Sequence, residues 1–286
     1  MRWILKENPD PKKTEELSKS LGIDPVLGSV LVQRGVDNFD KAKHFFRPSL
    51  KDLHDPFLMK DMEKAVDRIH LAMAENQNIM IYGDYDVDGT TAVSLVYDYL
   101  RTRYSNIATY IPDRYKEGYG VSFAGIDFAE DNDVSLIIAL DCGIKALDKV
   151  TYAKEKGIDF IICDHHRPGD ELPNAFAILD PKRNDCNYPY KELSGCGLGF
   201  KLIQAFSKKN HMPFKRLEKY LDLVVVSIAS DIVPITGENR ILAYFGLKLL
   251  NSNPRPGFTA ILHYSNIKKK TDFHFEILIH DDASTD

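Results

Sequence analysis

The 286-residue sequence has no apolar run long enough to cross a bilayer as a helix. Its longest nearly apolar stretches, Val134 to Leu140 and Leu223 to Ala229, fall far short of the roughly 20 residues a span requires. No membrane helix is expected. The opening Met1-Arg2-Trp3-Ile4-Leu5-Lys6 reaches a charge after three apolar residues, too few for the core of a secretory signal, so a cytoplasmic location is expected. Cysteine is scarce and unpatterned. Cys142, Cys163, Cys186 and Cys196 form no C-x-x-C pair and have no zinc-ligand spacing, which predicts reduced thiols. Positive charge is not in excess: 37 Lys and Arg against 42 Asp and Glu leave a net charge of −5. Any binding of nucleic acid must therefore use a local patch or bound cations. There is no repeat of fixed period and no low-complexity segment.

With 44% hydrophobic and 28% charged residues, the chain can bury one substantial core or two smaller ones. Residues 1–58 carry five breakers, Pro9, Pro11, Pro25, Pro48 and Pro56, among scattered apolar positions; they read as an extension of short helices. From Met59 the pattern sharpens. Met62, Ala65, Val66, Ile69 and Met73 form one helical stripe, followed by the strand-like run Ile79 to Tyr82 and a second stripe of Ala92, Leu95, Val96, Tyr99 and Leu100. Compact runs recur at Ile107 to Ile111, Leu136 to Leu140 and Ile158 to Cys163. Strands alternating with helices predict an α/β fold with a parallel sheet flanked by helices, whose ligand crevice lies at the carboxyl ends of the strands. The segment from Leu221, with Val224-Val225-Val226, reads equally as strand or buried helix.

Acids fall at those strand ends. Gly83-Asp84-Tyr85-Asp86-Val87-Asp88-Gly89 follows the first run, Asp141-Cys142-Gly143 another, and Asp164-His165-His166 a third. Taken singly, each acid reads as a helix cap and each histidine as a satisfied loop residue. Three acids within five residues repel one another, and cations among them remove that cost most simply. An EF-hand also begins D-x-D-x-D-G, but its twelfth position here is Leu95 rather than Glu, and a strand precedes the loop. Asp231 interrupts the apolar segment Ala229 to Pro234; alone it reads as a cap or a buried, hydrogen-bonded acid.

Residues 83–92 (Gly-Asp-Tyr-Asp-Val-Asp-Gly-Thr-Thr-Ala), 141–143 (Asp-Cys-Gly), 164–166 (Asp-His-His) and 229–233 (Ala-Ser-Asp-Ile-Val) resemble, in order, the four motifs of the DHH phosphoesterases. Further segments resemble the RecJ branch of that family: Ile111 to Arg114 with Glu117 to Gly120, Asp180-Pro181-Lys182, Gly195-Cys196-Gly197, Thr236 to Arg240, and the leader from Phe46 through Pro56. The similarity covers roughly residues 1–260. It implies an extension (1–58), a DHH catalytic domain (59–260) and a tail (261–286), in which Phe275 to Asp286 reads as the first strand and acidic turn of a family 2 glycosyltransferase.

The resemblance implies two divalent metals held by Asp84, Asp86, Asp88, Asp141, His165 and Asp231, with Asp141 bridging them and taking part in catalysis. Many relatives open the first motif with a His; here Asp84 stands instead. A set of oxygen ligands with one imidazole suits Mn²⁺, or Mg²⁺, better than zinc, and such an ion pair can clamp a phosphodiester. His166 would stabilise phosphoryl oxygens or protonate the leaving group, and Asp164 would orient a ligand imidazole. Arg114 and Lys182 are expected on the substrate, with Arg101, Arg103, Lys116, Arg183, Lys191 and Lys201 as further backbone contacts and Tyr115, Tyr119, Tyr188 and Tyr190 as stacking groups.

The implied activity is hydrolysis of single-stranded DNA from the 5′ end to mononucleotides in DNA repair and recombination, with helicase and single-strand-binding proteins as partners. A phosphodiesterase for small nucleotides, cyclic dinucleotides or pyrophosphate, a non-catalytic scaffold and an inactive fragment are the alternatives. Members of the branch continue into a second domain that closes over the site and then an oligonucleotide-binding fold. Neither is expected here, so metal binding is expected to outlast exonuclease turnover.

Overall fold

The computed structural model describes residues 7–265. The opening hexapeptide and the glycosyltransferase-like reading of 275–286 lie outside them. The chain divides into two compact units between Leu53 and His54, so residues 54–58, read above as part of the extension, belong to the second unit.

The first unit is built of α1 (Pro11–Leu21), α2 (Pro25–Gln33) and α3 (Phe39–Phe46). Two of its apparent breakers start helices. Pro11 and Pro25 sit in first turns, where no amide hydrogen is needed, and the carboxylates of Asp10 and Asp24 accept the amides of Lys12 and Val26. Leu17, Leu31, Val36 and Ala42 make its small core.

The second unit runs α4 (Met62–Ala74), β1 (Asn78–Gly83), α5 (Val87–Arg101), β2 (Ile107–Tyr110), α6 (Phe123–Asp131), β3 (Val134–Leu140), α7 (Leu147–Glu155), β4 (Asp159–Cys163), β5 (Ala177–Leu179), α8 (Gly195–Lys209), α9 (Leu221–Ser230), α10 (Gly237–Ser252) and α11 (Pro256–Tyr264). The strands form one parallel sheet in the order β2-β1-β3-β4-β5. The apolar runs of β1, β3 and β4 are buried on both faces, as the inner strands of a parallel sheet must be. Helices α6 and α7 pack on one face over Ile126, Ala129, Val150 and Ala153; α4, α5 and α8 cover the other, and α9 and α10 pack outside them. The ambiguous segment from Leu221 is therefore a helix, packed on α5, α8 and α10. Three-residue β5 carries too little pattern to have been expected.

Register positions the site. Gly83 pairs with Leu140, Leu140 with Cys163, and Cys163 with Leu179. The residue after each is an acid: Asp84, Asp141, Asp164 and Asp180 stand in one row along the carboxyl edge. Backbone bonds extend the row, from the amide of Asp141 to the carbonyl of Cys163 (2.9 Å) and from the amide of Asp164 to that of Leu179 (3.1 Å). Strand order reverses beside β1, with β2 on one side and β3 on the other, which is where doubly wound sheets open their crevice.

Candidate metal centre

The first acidic run is split among three tasks by the turn from β1 into α5. Asp84, fully buried, accepts the amide of Tyr85 on Oδ1 (2.7 Å), while Oδ2 has no partner. Burial raises its carboxyl above the usual range, helped by the charge of Asp86. Asp86 caps α5 by accepting the amide of Gly89 (2.8 Å). Asp88, two residues on, points inward and is 1% exposed. Its Oδ2 accepts the amide of Gly195, and its Oδ1 accepts the amide of Cys196 and the hydroxyl of Ser227, all at 2.7 Å. The first turn of α8 thus grips Asp88 with two of its free amides.

Asp141 follows β3 in a left-handed conformation, φ 59°, which aspartate adopts more readily than most side chains. It is almost fully buried, and Oδ1 makes no hydrogen bond. Burial first, then the charges of Asp88, Asp86 and Asp164, push its carboxyl up to about 10. Gly195 lets α8 reach this acid: a Cβ there would lie 2.5 Å from Asp141 Cβ and 2.6 Å from Oδ1.

His165 joins the acids. Its Nε2 lies 3.1 Å from Asp141 Oδ1, 3.5 Å from Asp231 Oδ2 and 3.7 Å from Asp88 Oδ2, yet neither ring nitrogen makes a hydrogen bond of acceptable geometry. The atoms converge on a point instead of pairing. Asp231, at the end of α9, has its carboxyl raised by burial, with Asp88 and Asp86 adding to the rise. Two sets of ligand atoms each lie within 4.8 Å of one another: Asp88, His165 and Asp231, and Asp141, His165 and His166. Asp84 and Asp86 belong to neither set. Buried acids with orphaned oxygens facing an orphaned imidazole nitrogen are the surroundings a divalent cation satisfies. The donor set fits the group expected from sequence.

Asp164 holds an imidazole, but not the one expected. Its Oδ1 accepts the amide of His166 (3.1 Å) and pairs with His166 Nδ1 (2.7 Å), and its Oδ2 accepts the amide of Ile144 (2.9 Å). It therefore orients His166, because a residue two positions on can fold back over the turn while His165 points across the row. Burial alone would raise Asp164's carboxyl; the bond and charge of His166 reverse this and hold it low, and the same bond raises His166.

Four residues expected on the substrate are occupied elsewhere. Lys201 is fully buried in an ion pair with Glu238 (2.6 Å) and also donates to the carbonyl of His54 (2.9 Å). Tyr188, equally buried, donates to the other oxygen of Glu238 (2.6 Å). Arg183 is buried between Asp61 and Asp185, each at 2.8 Å. Arg103 stacks on Tyr99 with its guanidinium carbon 3.9 Å from the ring centroid. Arg114 is exposed and lies 5.3 Å from the ring centre of Tyr85, which meets Tyr119 edge-on; Tyr119 in turn meets His166. Lys182 pairs with Glu192 (3.3 Å) and lines a cavity of about 780 Å³ with Arg167 and Lys191. A smaller cavity, about 300 Å³, opens against Asp141 and His166 and is lined also by Tyr119, Ile144, Lys145 and Lys149. All four cysteines are buried and free of disulfides, and no helix among the described residues is long and apolar enough to cross a membrane.

Fold and site together define an α/β protein of the doubly wound kind that gathers acids and an imidazole at its switch point. The chain belongs to the DHH family, whose N-terminal domain matches residues 78–228. It is 41% identical over 265 residues to the single-stranded-DNA-specific exonuclease RecJ of Bacillus subtilis (strain 168), covering 93% of this chain and 33% of that protein. It is 33% identical over 255 residues to RecJ of Escherichia coli (strain K12), covering 85% and 44%. A crystal structure of exonuclease RecJ bound to manganese superposes with a TM-score of 0.69 at 26% identity, over 78% of this chain and 55% of that one. RecJ from Thermus thermophilus in complex with Mn²⁺ shares the fold, with a TM-score of 0.76 at 23% identity, over 92% and 37%. The chain thus spans between a third and a half of the length of these two curated relatives.

Sequence reasoning missed Asp180 as a member of the row of acids along the sheet edge, and Ser194 and Ser227 as parts of the site. Asp180 falls within a quoted motif, and its place after an apolar triplet was the available signal. Nothing local marks the two serines.

Proposed function

We propose that this chain is a metal-dependent phosphodiesterase that hydrolyses single-stranded DNA from the 5′ end to mononucleotides. It would work with two divalent cations, manganese first and magnesium second. The observation that carries this is the convergence of Asp88, Asp141 and Asp231 on Nε2 of His165 at a sheet edge. Membership of the DHH family and the similarity to RecJ exonucleases support the choice of substrate. In this reading Asp88, Asp141, His165 and Asp231 would hold the ions, and Asp84 and Asp86 would complete the set from the same turn of β1 into α5 that carries Asp88.

When bound, such ions supply Lewis acidity at a phosphoryl oxygen and activate the attacking water. The chain's own residues supply position and protons. His166, pinned through Nδ1 by Asp164, keeps its other nitrogen for a phosphoryl or leaving oxygen. Arg114, at the outer end of the row through Tyr85 and Tyr119 to His166, takes a backbone phosphate, and Lys182 takes another at the rim of the larger cavity. The unit that begins at His54 carries the catalytic domain in this proposal, behind the helical extension and ahead of a tail (261–286). The setting is cytoplasmic DNA repair and recombination, beside helicase and single-strand-binding proteins.

The test is incubation with Mn²⁺ and end-labelled single strands, duplexes, dinucleotides and pyrophosphate, beside an Asp141→Ala control. Mononucleotides released from the 5′ end by the unmutated chain alone support the proposal. Cleavage confined to dinucleotides or pyrophosphate would replace it with a small-substrate phosphodiesterase.

A further inference from the structure

The smaller cavity opens against the metal centre but extends away from it, toward α7. Its lining divides by element. Asp141, Asp164 and His166 follow β3 and β4, Tyr119 and Val121 precede α6, and Ile144, Lys145 and Lys149 come from the loop after β3 and the first turn of α7. Helices α6 and α7 cover the sheet face opposite α5 and α8. The cavity therefore lies on the α7 side of the row of acids, while Asp88 and Asp231 reach that row from α5 and the end of α9. At about 300 Å³ it stands at the small end of ligand pockets, which run from roughly 300 to 1,000 Å³.

Lys145 is its unengaged cation. The side chain is exposed and has no hydrogen bond, ion pair or ring contact among the described residues. Lys182, Lys191 and Lys201, by contrast, are taken by Glu192, the carbonyl of Cys186 and Glu238. Lys149 is anchored by Asp148 (2.9 Å) and over the ring of Phe123 (5.2 Å). The backbone under Lys145 is tied to the neighbouring imidazole, because Asp164 accepts the amide of Ile144 on one oxygen and pairs with His166 on the other. One carboxylate thus sets both the ring and the loop that carries the lysine. Ala146, the N-cap of α7, offers no side-chain oxygen to the first-turn amides, which adds donors beside Lys145. The buried, unbonded Oδ1 of Asp141 lines the same cavity, so the space reaches the place of the ions.

Charge then sets the direction of a ligand. A phosphate is drawn to a free ammonium group and amide donors and repelled by carboxylates, so it lies toward α7 and the uncharged end of the same molecule lies toward His166. Between them Tyr119, Val121 and Ile144 offer an aromatic and apolar wall for a base. We propose that this cavity is the subsite of the departing nucleotide: Lys145 binds its 5′-phosphate, the wall of Tyr119 and Ile144 takes its base, and its 3′ oxygen faces His166. The proposal rests on the phosphodiesterase reading above and adds the polarity of the strand to it. Hydrolysis breaks the bond from that 3′ oxygen to the next phosphorus, and the oxygen of water takes its place there. The 3′ oxygen leaves as a hydroxyl with the proton of His166, and a proton of the water makes good the one given.

The test uses the full chain with Mn²⁺, and Lys145→Ala and Lys145→Glu, which alter an exposed side chain. Calorimetry measures thymidine 5′-monophosphate, thymidine 3′-monophosphate, inorganic phosphate and manganese itself. Binding of the 5′-monophosphate is expected to be about tenfold tighter than that of the 3′ isomer or phosphate, and to weaken about tenfold in Lys145→Ala and further in Lys145→Glu. Manganese affinity should stay that of the parent. On labelled single strands Lys145→Glu should raise KM for 5′-phosphorylated ends and leave 5′-hydroxyl ends nearly unchanged, a distinction that a merely structural role would not make. Equal binding of the three anions, or a 5′-monophosphate affinity untouched by Lys145→Glu, would overturn the subsite even if strands are cut. A chain that binds manganese and the 5′-monophosphate through Lys145 but cuts no strand would keep the subsite and overturn the exonuclease reading.

Discussion

Ser227 donates its hydroxyl to Oδ1 of Asp88 over 2.7 Å, so the helix that ends in Asp231 is bonded to the acidic motif it must meet. Ser227 Oγ also lies 2.6 Å from Ser194 Oγ, which caps α8 by accepting the amide of Gly197. Three segments far apart in sequence are thereby locked around one carboxylate. Ser227→Ala removes a donor to a buried charge. It is expected to destabilise the fold by about 1–3 kcal/mol and to weaken manganese binding several-fold, as measured by urea unfolding and calorimetry.

Gly195 is required by space, not by backbone freedom. A methyl group at this position would fall 2.6 Å from Asp141 Oδ1, so either the acid or the helix must move. Gly195→Ala is therefore expected to lower manganese affinity by about tenfold or more while circular dichroism stays that of the parent. Unchanged affinity would show that Asp141 is not held in the place described.

Asp164 pairs with the ring of His166 and leaves that of His165 free to face the carboxylates. Asp164→Asn weakens the bond that pins His166 and should cut turnover on labelled single strands by about 10- to 100-fold. Metal affinity, which depends on His165, should change little. Loss of metal binding with turnover per bound metal preserved would contradict this division of labour.

Away from the site, Asp98 on α5 accepts Tyr220 Oη (2.7 Å) and Lys219 Nζ (3.2 Å). Burial alone would raise its carboxyl, but these two partners win and hold it below the usual range. A carboxyl lowered on folding adds stability above its unfolded value, and that stability is lost as pH falls through the lowered one. Because Asp98 is half exposed, the contribution is modest. Asp98→Asn should cost about 1 kcal/mol near neutral pH, and the difference should vanish in acid. Denaturant unfolding at both conditions measures it.

The inner strands were readable because each is a short, mostly apolar run followed by an acid, a pattern that a doubly buried parallel strand imposes. The convergence of Asp88, Asp141, His165 and Asp231 was likewise open to sequence reasoning, since all but Asp231 follow from strand ends. What stayed hidden is non-local. No pattern near Ser227 reveals a bond to a residue 139 positions earlier, and no spacing tells which of two adjacent histidines Asp164 will hold. Lys201 and Tyr188 look like any surface cation and ring in sequence; only the fold shows them around a buried Glu238. The Leu221 segment was ambiguous because a helix buried on several sides loses its amphipathic period.

The central claim is that acids from separate segments and one imidazole hold a pair of divalent ions at the sheet edge. Anomalous diffraction from a crystal soaked in manganese tests it directly. Two peaks enclosed by Asp88, Asp141, His165 and Asp231 are expected. Density showing these side chains turned apart, with no peak among them, would contradict the account.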